Sequence, residues 1–204
     1  MEKNGKGKEY YRDGTLKYEG EYLNGKKWNG KGYDNKGNIE YEIKDGKGFI
    51  KEYYSYGILK FEGEYVNGER NGKGKEYDSY GRLIFEGNYL NGERNGKGKE
   101  YNSYGKLVFE GEYLNGKIWN GKGFDEKSNI EYEIKDGKGH IKEYDSYGEL
   151  EFEGEYLNGK RNGKGKEYDP DDKLKFEGEY LNGERNGNGK EYDSDGVLRF
   201  EGEY

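Results

Sequence analysis

Leu83, Phe85, Gly87 and Tyr89 share one parity along the chain, while Ile84, Glu86 and Asn88 share the other. That is the period-two alternation of a strand with one buried face. Leu59, Phe61, Gly63 and Tyr65 alternate in the same way with Lys60, Glu62 and Glu64. Turn chemistry follows each run. After Tyr89 come Asn91-Gly92 and Asn95-Gly96, dipeptides that favour positive φ and chain reversal. Lys97 to Tyr101 reads as a returning strand, and Asn102-Ser103-Tyr104-Gly105 as a second turn into the next unit. Pro170 falls in a matching second turn, where a missing backbone donor does least harm. The pattern predicts an all-β chain of tandem β-hairpins.

The unit recurs along the whole chain, as an internal period requires. An aromatic-Glu-Gly strand begins at Tyr18, Phe61, Phe85, Phe109, Phe152, Phe176 and Phe200, with degenerate copies at Tyr41 and Tyr132. The intervals run 23, 20, 24, 24 and then repeat, and residues 18–108 match 109–199 at 69 of 91 positions. A four-repeat block has therefore been duplicated. The expected organisation is a single repeat domain, 1–204. Its full repeats are 18–40, 41–60, 61–84, 85–108, 109–131, 132–151, 152–175 and 176–199. Residues 4–17 match only the back half of a repeat and 200–204 only its front strand. Ends inside the unit are expected either of a fragment or of a chain whose ends pair with something.

Parity assigns the two faces. Glu62 and Glu64 are expected opposite Phe61 and Tyr65, forming a Glu–Lys ladder with Lys73 and Lys75 of the returning strand. Such cross-strand pairs contribute about 0.2–1 kcal/mol each, so they set register and solubility. The other face holds Phe, Gly and Tyr beside Gly72 and Gly74, where glycine leaves room for a ring to lie over backbone. Tyr77 has the parity of Lys73 and Lys75, and a bulge near Gly74 is expected to return it to the aromatic face. At two strands per unit and a strand spacing of about 4.8 Å, the eight repeats and two halves extend about 85 Å.

Composition changes this picture little. Only 29% of residues are hydrophobic and 39% are charged, a balance that alone suggests disorder. The 17% aromatic content, with 24 tyrosines and evenly spaced glycines, argues against it. Basic and acidic residues number 36 and 43 and alternate without forming blocks. With a pI near 5.1, no nucleic-acid footprint is expected. There is no cysteine for disulfides or thiolate metal sites. The N-terminal MEKNGKGKEYYRDG has no apolar core, and no apolar run approaches membrane-spanning length. A soluble, cytoplasmic protein is the expectation.

FEGEYVNGERNGKGKEY (61–77) and FEGEYLNGKRNGKGKEY (152–168) resemble the MORN repeat (membrane occupation and recognition nexus). Its pattern is an aromatic-Glu-Gly-Glu-aromatic strand, an Asn-Gly turn and a Gly-Lys-Gly strand ending in aromatics. Glu76 departs from that pattern by standing where the family carries an aromatic, with Tyr77 following. The short copies replace the central Gly-Glu by Ile43-Lys44 and Ile134-Lys135. The resemblance implies an elongated, single, twisted antiparallel β-meander, open-ended, that serves as a non-catalytic scaffold for protein contacts and self-association. It also implies cytoskeletal or membrane-proximal placement. Phospholipid binding, proposed for the family, is the alternative function, and the net charge of −7 opposes it at anionic surfaces. Similar long-repeat variants include antitoxin-like binding proteins, a second alternative.

No residue pattern calls for catalysis. Carboxylate pairs such as Glu62/Glu64 and Glu177/Glu179 recur in every unit, whereas a perturbed catalytic pair belongs in a unique cleft. His140 replaces Phe49 of the first block and has no second histidine to form a metal site. Asp169, Asp171 and Asp172 lack EF-hand spacing and read as a solvated turn. The GKGKE runs lack the spacing of a phosphate loop, and the serines lie mostly in turns without a base. No cofactor or metal is expected. Trp28 and Trp119 are the distinctive side chains, both in KxWNGKG where other units carry Arg70, Arg94, Arg161 or Arg185. They are the candidate protein-binding anchors, or else covers for the short unit that follows each. The partner is an unidentified protein or a second copy paired through edge strands.

Overall fold

A computed structural model describes residues 2–145 and 147–204. Met1 and Ser146, which fall within the expected repeat domain, lie outside the described residues. The chain groups into two compact units, Met1–Gly96 and Lys97–Tyr204. All secondary-structure elements of the described residues are strands. Unit 1 holds β1 (Gly5–Tyr10), β2 (Leu16–Leu23), β3 (Lys26–Tyr33), β4 (Ile39–Ile43), β5 (Gly48–Tyr53), β6 (Leu59–Val66), β7 (Glu69–Tyr77) and β8 (Leu83–Leu90). β9 (Glu93–Tyr101) begins in unit 1. Unit 2 holds β10 (Leu107–Leu114), β11 (Lys117–Phe124), β12 (Ile130–Lys135), β13 (Lys138–Tyr144), β14 (Leu150–Leu157), β15 (Lys160–Tyr168), β16 (Leu174–Leu181), β17 (Glu184–Tyr192) and β18 (Leu198–Glu203). Strand order follows the chain, β1 to β4 in one sheet and β5 to β18 in a 14-stranded sheet. The fold is the antiparallel hairpin meander that alternation predicts, and it does not close.

Two-residue turns make the hairpins. Asn67 and Gly68 have φ of 54° and 72°, and Asn91 and Gly92 have 51° and 88°. Positive φ at both central residues is the type I′ turn, whose twist suits antiparallel strands. The second dipeptide is different. Asn95-Gly96 does not reverse the chain, because β9 already begins at Glu93. In the equivalent β6–β7 pair, Gly63 faces Gly74 and Tyr65 faces Arg70, so Asn71, Gly72 and Lys73 stand against Glu64 alone. This is a bulge. Gly72 sits there at φ 104°, and Glu64 Oε2 would lie 1.9 Å from any Cβ. That carboxylate accepts the Lys73 backbone N–H at 3.1 Å.

A row of glycines crosses the strands on the buried face. Gly7 faces Gly20, which faces Gly30; in unit 2, Gly154, Gly165, Gly178, Gly189 and Gly202 are consecutive partners. Phenylalanine rings occupy the space that the missing side chains leave. A Cβ on Gly74 would lie 2.5 Å from Phe61 Cζ, and one on Gly165 2.6 Å from Phe152 Cζ. Phe61, Phe85, Phe152 and Phe176 are fully buried. Phe61, Phe152 and Phe176 each meet their own unit's tyrosine and the next one edge-on, as Phe61 does with Tyr65 at 6.0 Å and Tyr89 at 5.2 Å.

The short units interrupt the row. Gly30 faces Ile43, and Ile50 faces Gly63. Both isoleucines are buried, and β4 and β5 share only the Lys44–Lys47 bridge. Branched side chains cannot approach as glycines do, so the ladder opens and Ile43 and Ile50 fill the gap with Tyr18, Tyr22 and Tyr41. In unit 2, Ile134 and Ile141 take the same buried places.

Candidate interaction surface

Tyr77 does not join the aromatic face. Its hydroxyl donates to Glu62 Oε1 at 2.8 Å, on the face that carries Glu62 and Lys75. Strict alternation from Gly74 holds, and the residue that it sends inward is Glu76. The expected bulge does exist, but it spans Asn71 to Lys73 and so leaves the parity of Tyr77 unchanged.

Glu76 enters an arginine–glutamate ladder laid over the rings. Arg70 Cζ lies 4.0 Å from the Phe61 ring centroid, a cation–π distance. Its Nε and Nη2 donate to Glu52 at 2.9 Å each, and Nη1 donates to Glu76 at 3.0 Å. Arg94 stacks on Phe85 at 4.0 Å and donates to Glu76 at 2.6 Å. Unit 2 repeats the arrangement. Arg161 stacks on Phe152 and donates to Glu143, while Arg185 stacks on Phe176 and donates to Glu167 and Glu191. Tyr65 and Tyr156 donate to Glu52 and Glu143, and Tyr180 donates to Glu167 at 2.7 Å.

The ladder answers how so polar a chain closes its core. Arg70, Arg161 and Arg185 each cap a ring with the flat face of the guanidinium and turn its edge to carboxylates from two successive hairpins. Burial alone would push the Glu52 carboxyl up, but Arg70 and Tyr65 outweigh it and hold it below the usual range. Glu76 is likewise held down against burial by Arg94 and Arg70, and Glu167 by Arg185 and Tyr180. These pairs are half-buried, so removing one partner strands a charge. Sequence reasoning missed the ladder. The legible signal was Glu76, even-numbered from Gly74, together with an arginine at a fixed place after each Asn-Gly turn.

On the opposite face Glu62 stands across from Lys75 as expected, but Lys75 Nζ lies nearer Glu86 of the next strand, at 4.0 Å, and exposed Glu–Lys ion pairs form elsewhere along the face. Lys8–Glu19 and Lys31–Glu42 pair at 3.0 and 3.2 Å in unit 1, and Lys122–Glu133 at 3.3 Å in unit 2. Glu64 pairs with backbone in place of Lys73, as above. His140 is exposed on this face opposite Glu155, where Phe49 faces Glu64 in unit 1. The Glu177/Glu179 pair also lies here, facing Lys166 and Lys164. Asp169 accepts backbone N–H groups from Asp171 and Lys173 at 2.9 Å, which accounts for the acidic turn. Among the described residues no group of His, Cys, Asp and Glu could hold a metal ion, and no helix is long and apolar enough to cross a membrane.

Trp28 does not stand where other units carry arginine. The strand partner of Tyr22 is Lys27, as Arg70 is the partner of Tyr65, and Lys27 Nζ lies 4.4 Å over the Tyr18 ring. In the second block Ile118 faces Tyr113 at this place. The bulge between Lys27 and Gly30 is one residue shorter than that between Arg70 and Gly74, and Trp28 is the residue it leaves without a strand partner. The Trp28 ring is half-buried and covers the next turn, where a Cβ on Gly46 would lie 2.7 Å from its Cζ3. Gly46 N–H donates to Trp28 O at 2.9 Å and Gly68 N–H to Gly46 O at 2.8 Å. Trp119 covers Gly137 in the same way, with Gly159 bonded behind it.

The open edge of unit 2 is β18. Phe200 there is 42% exposed, although Phe176 at the same place in the preceding repeat is fully buried. Leu198 and Tyr204 are exposed beside it.

No curated protein matches the chain. Among solved structures, a chain of "Crystal Structure of TcdB2-TccC3-Cdc42" is similar at 12% identity and a TM-score of 0.24. The match covers 95% of this chain and 12% of that one. The family model "MORN repeat" matches residues 2–16, 18–32, 61–82, 85–106, 152–173 and 176–197. These stretches make up more than half of the chain and begin at the aromatic-Glu-Gly strands and at the first Gly-Lys-Gly strand; the chain belongs to the MORN repeat family.

Proposed function

We propose that this protein is a non-catalytic interaction scaffold that self-associates through its edge strands. The observation that carries the reading is Phe200. Every other phenylalanine of the front strands lies on a strand paired on both sides, whereas Phe200 lies on β18, which among the described residues pairs only with β17. An exposed edge with unpaired backbone groups and an uncovered ring is a template for another strand. β1 supplies the matching one. Residues 4–10, NGKGKEY, are identical to 71–77, 95–101 and 162–168, the returning strands of three hairpins, and β1 pairs only with β2. A second copy's β1 on β18 repeats the hairpin register, with Phe200 opposite Glu9, Glu201 opposite Lys8 and Gly202 opposite Gly7. The contact is heterologous, so it propagates from copy to copy.

A membrane-surface reading has less behind it. Lysines of the exposed face are matched by glutamates, which leaves no positive field for anionic lipid.

Light scattering on fractionated chain across a hundredfold concentration range tests the proposal. Mean mass rises with concentration in the wild type, and Phe200→Lys lowers it toward the monomer. A monomer at every concentration refutes self-association.

A further inference from the structure

Seven arginines occur in the sequence. Arg70, Arg94, Arg161 and Arg185 hold ladder glutamates, and Arg82 and Arg199 hold Asp78 and Asp193. Arg12 alone, among the described residues, has no carboxylate partner. It is nevertheless fixed in place. Its guanidinium lies 5.1 Å from the Tyr56 ring centroid, Nη1 donates to the Tyr56 hydroxyl, and its backbone N–H donates to Ser55 O at 3.3 Å.

The short unit creates the setting. Where the ladder opens between β4 and β5, the turns at 11–14, 34–37 and 54–57 draw together. Tyr11 meets Tyr53 edge-on at 5.9 Å and donates to Tyr33 O at 2.9 Å. Asn35 approaches Gly57 so closely that a Cβ there would lie 3.3 Å from Nδ2. The three turns enclose a depression of about 260 Å³, lined by Tyr11, Arg12, Asp13, Asn35, Ser55 and Tyr56. That is below the range of about 300–1,000 Å³ usual for drug-sized ligands, and suits a molecule the size of an amino acid or a sugar phosphate.

A guanidinium braced on a ring, with Nη1 on the Tyr56 hydroxyl and its Nε–Nη2 edge unspent, matches carboxylate or phosphate in a planar fork. The bracing also lowers the side-chain entropy lost on binding. The Asn35 amide and the Ser55 hydroxyl add donors. Asp13 sets a limit on charge, since its carboxylate accepts the Thr15 backbone N–H at 2.9 Å, and that contact favours its ionised form. It repels a second negative charge and accepts from a hydroxyl or ammonium group.

We propose that this three-turn depression binds a small anion, with one carboxylate or phosphate on Arg12 and a hydroxyl or ammonium group toward Asp13. Unit 2 contains its own control. A depression of about 220 Å³ forms at the corresponding turns, lined in part by Asn102, Lys106, Glu126 and Gly148. Ser103 takes the place of Arg12 there, and Lys106 Nζ is spent on Glu126 O at 3.2 Å.

The test is an amide NMR titration of the full chain with inorganic phosphate and, separately, with glycine, at ionic strength held constant by sodium chloride. Saturable shifts are expected at Asn35, Ser55 and Gly57 in at least one arm, with Asn102 and Gly148 unmoved. Loss of a charged bidentate contact in Arg12→Gln weakens that binding about tenfold, and Arg12→Lys falls between. Saturation by phosphate alone assigns a phosphate ligand, and saturation by glycine alone a carboxylate. Shifts absent from both arms, unsaturable, unchanged in Arg12→Gln, or equal at Gly148 overturn the proposal.

Discussion

Gly74→Ala isolates the contact that makes this polar chain fold. The new Cβ would lie 2.5 Å from Phe61 Cζ, 2.6 Å from Cε2 and 3.0 Å from Tyr89 Cε2. Phe61 is fully buried between its own hairpin's glycines and Arg70, so the ring can yield only by lifting off its neighbours. Overpacking of this kind costs about 1–3 kcal/mol. Gly74 is not among the residues with positive φ, so alanine fits the strand backbone and returns about 0.4–1 kcal/mol by restricting the unfolded chain. The net expectation is a loss of about 1–2 kcal/mol, read as a fall in the urea midpoint at unchanged slope. A Phe61→Leu background removes the atoms that clash. There Gly74→Ala costs less than about 0.5 kcal/mol, giving a coupling energy above the level at which independent sites add. Gly92→Ala serves as a control, because nothing lies within 4 Å of its Cβ and its cost is that of φ 88° alone. It does not couple to Phe61. Equal costs for Gly74→Ala in both backgrounds would refute the ring-on-glycine account.

Arg161→Lys keeps the charge but loses the fork on Glu143 and the stack on Phe152, costing about 1–3 kcal/mol in the urea midpoint. Arg82→Lys, at a partly exposed i,i+4 pair, costs about 0–1 kcal/mol by the same measurement. Acid weakens the fold. Burial opposes ionisation of Glu9, but Lys27 and Lys3 pull it down to about 2, against about 4.3 in an unfolded chain. The unfolded state therefore takes up protons first, and the stability present above pH about 4.3 is lost as pH falls toward about 2. Glu52, Glu76 and Glu167 act with the same sign. Urea midpoints measured across that window decline, and Glu9→Gln declines less. Trp28→Ala uncovers the short unit's turn and accelerates amide exchange at Gly46 and Gly68, while Gly137 and Gly159, still covered by Trp119, keep their rates.

Strands, turns and both faces could be read from alternation because period two is imposed by the backbone itself. What parity could not reveal was which polar residue the core would accept. Glu76 has the inward parity, yet a lone carboxylate there would be costly, and tyrosine is the more natural core residue. Its acceptance depends on Arg70 and Arg94, which come from turns 6 residues before it and 18 residues after it. Such a triad is visible only when strands are set side by side. Asn95-Gly96 misled for a different reason. Asn-Gly codes for positive φ, and both a hairpin turn and a bulge need it at glycine. The short units were marked in the sequence by Ile43 and Ile134. That their isoleucines would part the strands and draw three turns together depends on the glycine row they interrupt.

Near-identical repeats raise a question of register for any pairing between copies. A one-residue slip of β1 on β18 turns every side chain to the wrong face and is excluded by burial. A two-residue slip keeps the faces and still sets glycine against glycine, with Gly202 opposite Gly5. Charge distinguishes it. The hairpin register sets Glu201 against Lys8 and leaves Glu203 to accept the Lys6 backbone N–H, as Glu64 accepts that of Lys73. The slipped register keeps one Glu–Lys pair, Glu201 against Lys6, but brings Lys8 opposite Arg199. The one like pair gained, at about 0.2–1 kcal/mol, favours the hairpin register by that amount. Glu9 adds to this, since it lies opposite Phe200 only in that register, as Glu76 lies opposite Phe61. The chain has no cysteine, so mixing a Glu201→Cys variant with a Lys8→Cys variant under mild oxidation reports the register directly. Heterodimers should form faster with Lys8→Cys than with Lys6→Cys. Added salt should narrow the difference, because the discriminating charges are exposed. Faster linking through Lys6→Cys would mean that the copies do not continue the hairpin ladder.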